Sequence, residues 1–164
     1  MPDINTPTTT PPIRAGLHIA VSKVDLASWR WPHFQARELS CDCMRHCHGE
    51  YYHSPAFLDA LEAMRVLVGP LKINSARRCK GHNTAVGGAR ASMHMRTIAA
   101  DISLTGHNRK ALVAAALKAG FRGIGYGRTF LHVDLGVRRA WTYSGAMPAW
   151  VRALGYNPVT GLDA

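Results

Sequence analysis

At 164 residues and 47% hydrophobic content, the chain has enough apolar side chains for one packed domain and too few for two generous ones. No apolar run approaches the ~20 residues of a membrane-spanning helix; the longest, Ala111 to Leu117, stops at Lys118. The net charge is +10, with fifteen Arg among the twenty basic residues, which predicts attraction to a polyanion without choosing between nucleic acid, anionic lipid and the anionic bacterial envelope.

In chain order, residues 1–14 read as a flexible leader, dominated by Thr and Pro and with almost nothing to bury. The same stretch lacks the basic start and apolar core of a secretory signal, so the expected starting place is a cytoplasm. Leu17 to Arg45 has no clean periodicity, and Trp29 and Trp31 are expected to pack onto the domain. A helix is predicted from Pro55 to Leu67, with Ser54 as N-cap, Pro55 in the first turn and Gly69-Pro70 as the stop. Phe57, Leu58, Leu61 and Met64 share its inner face. Short strands are predicted at Leu71–Ser75 and Ala99–Leu104, separated by a Gly-rich turn region. Asn108 caps a helix from Arg109 to Ala119, closed by Gly120. Gly123–Tyr126 and Thr129–Leu135 read as strands joined at Gly127-Arg128, and a last helix near Pro148–Leu154 docks through Trp150. The pattern lacks regular βαβ spacing and predicts an α+β domain over residues 15–164, with a small, mainly antiparallel sheet flanked by helices.

Nine His in a chain of this size prompt a search for a metal site. His94 stands just before the apolar strand that carries Asp101, and His132 stands in the middle of Thr129-Phe-Leu-His-Val-Asp-Leu135. Polar groups in apolar strands need partners, because unpaired burial costs up to several kcal/mol. One zinc ion held by two imidazoles and one carboxylate would satisfy all three and leave a fourth position for water, the pattern of a catalytic site. A hydrogen-bonded core network of the same three residues satisfies them equally well. Several Arg cluster in sequence near these residues, at Arg77, Arg78, Arg90, Arg96, Arg138 and Arg139, which favours an anionic substrate.

The stretch Ser92-Met-His94-Met-Arg-Thr97-Ile-Ala99-Ala-Asp101 resembles the S-x-H-x-x-G-x-A-x-D signature of the zinc D-Ala-D-Ala carboxypeptidase family. That family includes phage L-alanyl-D-glutamate endopeptidases and shares its fold with the Hedgehog signalling domain. Ser75-Ala-Arg-Arg78-Cys-Lys-Gly-His82-Asn83 looks like the family's S-G-Y-R-x-P-x-H-N stretch, and Phe130-Leu-His132-Val-Asp134 followed by Trp141 looks like its closing motif. The resemblance covers Phe34 to Trp141. It implies that His94, Asp101 and His132 hold one zinc ion, that Arg78 steadies a substrate carbonyl or carboxylate, and that Ser92 orients its loop or touches substrate. His82 and Asn83 read as structural turn residues first.

Two departures from the motif stand out. Thr97 occupies the signature Gly, so the Gly backbone conformation is not to be assumed. Thr129 and Phe130 occupy positions where many relatives place a general base; Asp134, two residues past His132 and on the same strand face, is the expected substitute. Its alternatives are a pair with Arg138 or Arg139, or a hydrogen bond to a ligand histidine.

Cys41, Cys43 and Cys47, with Cys79 further on, can be read as a second structural zinc site, a disulfide or buried thiols, and no second metal is predicted. The implied function is hydrolysis of a peptide bond in bacterial cell wall, as in a phage or prophage endolysin released from the host cytoplasm with a holin. The partners would be peptidoglycan peptides and the anionic envelope, and the chain would act as a monomer. A D-Ala-D-Ala carboxypeptidase of wall metabolism and a non-enzymatic zinc-binding module are the rival readings.

Overall fold

The computed structural model describes residues 14–18, 20–24 and 26–161; the expected leader lies outside these residues except for Arg14. A two-stranded antiparallel ribbon, β1 (Gly16–His18) on β2 (Tyr51–His53), opens the chain. Neither strand was predicted, because three-residue strands carry no readable alternation. Between them, Trp31 is buried and donates its indole N–H to Asp59, while Trp29 donates to the carbonyls of Trp31 and Phe34. The Trp31 indole therefore ties this irregular stretch to Asp59, while the Trp29 ring, hydrogen-bonded within the stretch, packs near Tyr51 and His53.

Helix α1 (Pro55–Val68) buries Phe57, Leu58, Ala60, Leu61 and Met64, the apolar stripe anticipated from spacing. Ser54 sits at the N-cap position, but its side chain makes no capping bond, so Pro55 carries the start signal. Gly69, at φ 83°, ends the helix. After β3 (Ile73–Ser75) comes a short helix, α2 (Lys80–Ala85), and then a 3₁₀ turn at Met93–Arg96. Next come β4 (Ala99–Ser103), α3 (Arg109–Lys118), β5 (Gly123–Tyr126), β6 (Phe130–Asp134), β7 (Arg139–Thr142) and α4 (Met147–Leu154). Asn108 caps α3 by accepting from the N–H of Ala111. Trp150 of α4 is fully buried and donates to the carbonyl of Gly127, pinning the last helix to the β5–β6 turn.

The main sheet has the order β3-β4-β6-β5-β7, antiparallel except for the parallel pair β5–β7. The fold is thus a small α+β domain, as the sequence implied. Strand alternation sorts the two faces. Ala100, Ile102, Ile124, Tyr126, Leu131 and Val133 join α1 and α3 in one core. The opposite face carries Asp101, His132, Asp134 and Trp141.

Candidate metal centre

Register aligns these polar residues in rows across the sheet. Asp101 of β4 pairs with His132 of β6, His132 with Gly125 of β5, and Gly125 with Trp141 of β7. The adjacent row runs Ala99, Asp134, Gly123, Arg139. Both central positions are glycine for a steric reason. A Cβ on Gly125 would stand 2.6 Å from the Trp141 ring and 2.9 Å from Cβ of His132, and one on Gly123 would stand 2.2 Å from the Asp134 carboxylate. The bare glycines let large side chains of flanking strands close over β5.

His94 reaches this face from the 3₁₀ turn. Ser92 accepts a hydrogen bond from the N–H of His94 and so holds the start of that turn, while Thr97 ends it at φ 55°, ψ 42°. That is the left-handed conformation normally left to Gly, here adopted by a buried β-branched residue. A conformation usually left to glycine is therefore adopted by Thr97 at the position of the signature glycine.

Nδ1 of His94 donates to the carbonyl of Ala76 at 2.6 Å, which leaves Nε2 as a lone pair. Nε2 of His132 donates to Asp134 Oδ2 at 3.1 Å, which leaves Nδ1. These two nitrogens and Asp101 Oδ1 form a triangle with edges of 3.1, 2.9 and 3.3 Å, and all three residues are buried. With one proton on each ring, three acceptors meet face to face, and they repel one another unless a metal ion or a further proton lies between them. Ligands at zinc's usual ~2.05 Å with tetrahedral angles lie about 3.3 Å apart, so the triangle fits that ion. Each imidazole has its second nitrogen held by an acceptor, as metal-bound histidines almost always do.

Electrostatics agree. Burial alone would raise the Asp101 pKa, but hydrogen bonds and charge from His132 and His94 outweigh it and hold the carboxyl well below its usual range. Burial would lower that of His132, but Asp101 and Asp134 on either side of the ring raise it. The imidazole thus sits where a positive charge is favoured.

Arg78 donates to Asp101 Oδ2 at 2.7 Å and to Ser75 Oγ at 3.0 Å, and its backbone N–H holds the carbonyl of His94. Arg77, its neighbour, points away into an ion pair with Glu50 and a bond to the carbonyl of Met95. The structure brings Arg78, Ser92, Asp101 and His132 to the lining of one cleft of about 550 Å³, which Trp141 and Tyr143 also line; His94 is buried beside it, against His132 and Asp101.

Asp134 lies elsewhere than expected. It is fully buried behind His132, not beside the mouth of the cleft. Its Oδ1 accepts from the N–H of Gly136 at 2.8 Å and from Arg139 at 3.0 Å, and its Oδ2 accepts from Arg139 at 2.7 Å as well as from His132. Both oxygens are committed, and burial that would raise its pKa is outweighed by His132, Arg139 and Gly136, which lower it. A carboxylate in this position orients an imidazole; it does not face a water in the cleft. Asp101 is the only carboxylate among the described residues lining the cleft.

Tyr143 was not picked out from the sequence. It follows Trp141 by two residues, so the two side chains share a face as β7 ends; it is 38% exposed, and partial burial together with the Asp101 charge pushes its phenol pKa up.

The stretch 32–134 matches the family model Peptidase M15. The chain belongs to the Peptidase M15 family. The match contains His94, Asp101, His132 and Asp134 and ends before Arg139, Trp141 and Tyr143. No curated protein matches the chain. Membership points to a peptidase and agrees with the α+β fold. Among the described residues, no helix is long and apolar enough to cross a membrane.

Proposed function

We propose that this M15 member is a zinc-dependent peptidase of bacterial cell wall, cutting a peptide bond of the stem or cross-link in a lytic, endolysin-like role. The supporting observation is the convergence of His94, Asp101 and His132 beside a cleft lined by Asp101, His132 and Arg78. These three residues would hold the ion. When bound, zinc supplies a Lewis acid that polarises a carbonyl and lowers the pKa of water toward ~7.

The chain's own residues do the rest. Arg78, planar and permanently charged, donates to the substrate carbonyl oxygen as negative charge gathers there. Tyr143 stays protonated at neutral pH and serves as a second donor. Trp141 and Phe130 pack against the apolar parts of the peptide. Ser92 fixes the turn that presents His94, and Asp134 is a positioning residue that keeps the Nδ1 lone pair of His132 aimed at the ion. The +10 charge draws the protein to an anionic envelope, and a lysin of this kind would act with a holin and as a monomer.

The test is mass spectrometry of muropeptides after digestion of purified peptidoglycan, with chelator and with zinc restored. Cleaved stems or cross-links, lost with chelator and with His132→Ala, support the reading. Release of free D-Ala alone would assign a carboxypeptidase instead, and intact muropeptides with zinc bound would refute peptidase action on the wall.

A further inference from the structure

A second group of metal-binding side chains lies outside the cleft. The sulfurs of Cys41, Cys43, Cys47 and Cys79 all lie within 4.8 Å of one another. Cys43 Sγ is 3.4 Å from both Cys47 Sγ and Cys79 Sγ. A disulfide would hold two sulfurs at about 2.05 Å, so these are free thiols at non-bonded distance. Four sulfurs around a tetrahedral zinc at ~2.3 Å would be about 3.8 Å apart.

The surrounding backbone supports thiolates at this point. The N–H of Cys79 donates to Cys41 Sγ and the N–H of His82 donates to Cys79 Sγ, both at 3.3 Å. The loop between Cys41 and Cys47 has no apolar anchor of its own: Met44 is 71% exposed, and Asp42, Arg45 and His46 are exposed too. It lies against the start of α2, where the His46 ring covers Gly81 so closely that a Cβ there would stand 2.6 Å from it. A loop of exposed residues turning all its thiols to one point is what a closed, four-coordinate structural site needs.

A competing donor set, Cys41, Asp42 and His82, also converges. It offers one donor fewer, and its carboxylate is 81% exposed. Soft thiolates without an open position select zinc for structure rather than chemistry.

We propose that Cys41, Cys43, Cys47 and Cys79 form a second, structural zinc centre that fastens the 41–47 loop to the segment carrying Arg78. Binding would convert four thiols and one zinc ion into a tetrathiolate complex of charge −2 and release four protons. Because Cys79 adjoins Arg78, the cross-link also stiffens the backbone that aims this guanidinium at Asp101. The inference is independent of the peptidase reading, since it involves none of that centre's ligands.

The experiment uses the full chain, purified under reducing conditions, with zinc counted by plasma mass spectrometry. The paired His94→Ala/His132→Ala variant should keep about one zinc equivalent, and Cys43→Ser/Cys47→Ser should lose about one relative to the unmodified chain. Because the cysteine variant can fail to fold, cobalt loading of the histidine variant provides the deciding readout. A thiolate-to-cobalt charge-transfer band, with all four thiols shielded from alkylation until chelator is added, supports the site. Absence of that band, or a peptide map joining Cys43 to Cys47 or Cys79 by a disulfide, overturns it. Loss of the band in His82→Ala alone would move the fourth ligand to His82 and refute the four-thiol set.

Discussion

Asp134 and His132 are two residues apart on one strand, and the carboxylate Oδ2 meets the imidazole Nε2 at 3.1 Å on the side away from Asp101. The ring is therefore held between two carboxylates, one at the candidate metal position and one behind it. This geometry separates two roles that the spacing alone leaves open. Asp134→Asn should weaken zinc affinity about 10–100-fold, as loss of a ligand's supporting carboxylate does. Zinc titration against a competing chelator reads this directly; unchanged affinity with collapsed kcat would return Asp134 to the role of base.

Arg139 is the partner that makes Asp134 tolerable in the interior. It reaches across bare Gly123 with two nitrogens, and its guanidinium also lies 4.8 Å from the Trp141 ring centroid. Arg139→Ala would leave a fully buried carboxylate short of its counter-charge. A destabilisation of about 3 kcal/mol is expected in urea unfolding, larger than that of Asp134→Asn. The reverse order would mean that the pair is not what holds this face together.

Gly125→Ala tests the row through His132. The added methyl has no room between Trp141, whose ring lies under the Arg139 guanidinium, and His132, whose ring is held by Asp134. Overpacking of this kind costs about 1–3 kcal/mol, and zinc retention should fall with it because His132 must shift. A variant as stable and as well loaded as the parent chain would show that the row yields easily.

Arg78→Lys keeps the charge and discards the fork. Asp101 Oδ2 and Ser75 Oγ take separate nitrogens of the guanidinium, a geometry that one ammonium cannot reproduce. A fall in kcat of roughly 10²–10³, with zinc content retained, is expected if Arg78 stabilises the developing negative charge. A rise in KM alone would confine it to binding.

His53 supplies a pH test far from the cleft. Burial first, then His18 and Arg30, lower its pKa below the ordinary 6.5, and it packs among Trp29, Trp31 and Tyr51. The unfolded chain then takes up a proton before the folded one does. Stability is fully present above about pH 6.5 and is lost as pH falls through the lowered folded value. The melting temperature should drop from pH 7 toward pH 5, and His53→Gln should flatten that slope. An unchanged slope would place the acid sensitivity elsewhere.

Much of this protein was legible in its residues. The spacing of Phe57, Leu58, Leu61 and Met64 specified α1, Asn108 announced α3, and alternation along 99–104 and 129–135 put Asp101 and His132 on strands. These signals are local: helix and strand periods and caps act within a few residues. The identity of the polar residues in those strands, with the motifs around them, was enough to nominate the triad.

Strand order and register were decided only in three dimensions. Nothing local says that β5 lies between β6 and β7, or that glycines at 123 and 125 let Arg139 and Trp141 reach across it. Those contacts place Asp134 behind His132, because a carboxylate goes to the nearest permanent cation when it is buried. The convergence of four cysteines likewise depends on where residue 79 lies against the 41–47 loop, a distance that sequence separation does not encode. Local chemistry chose the groups able to hold a metal, and packing decided which way each one faces.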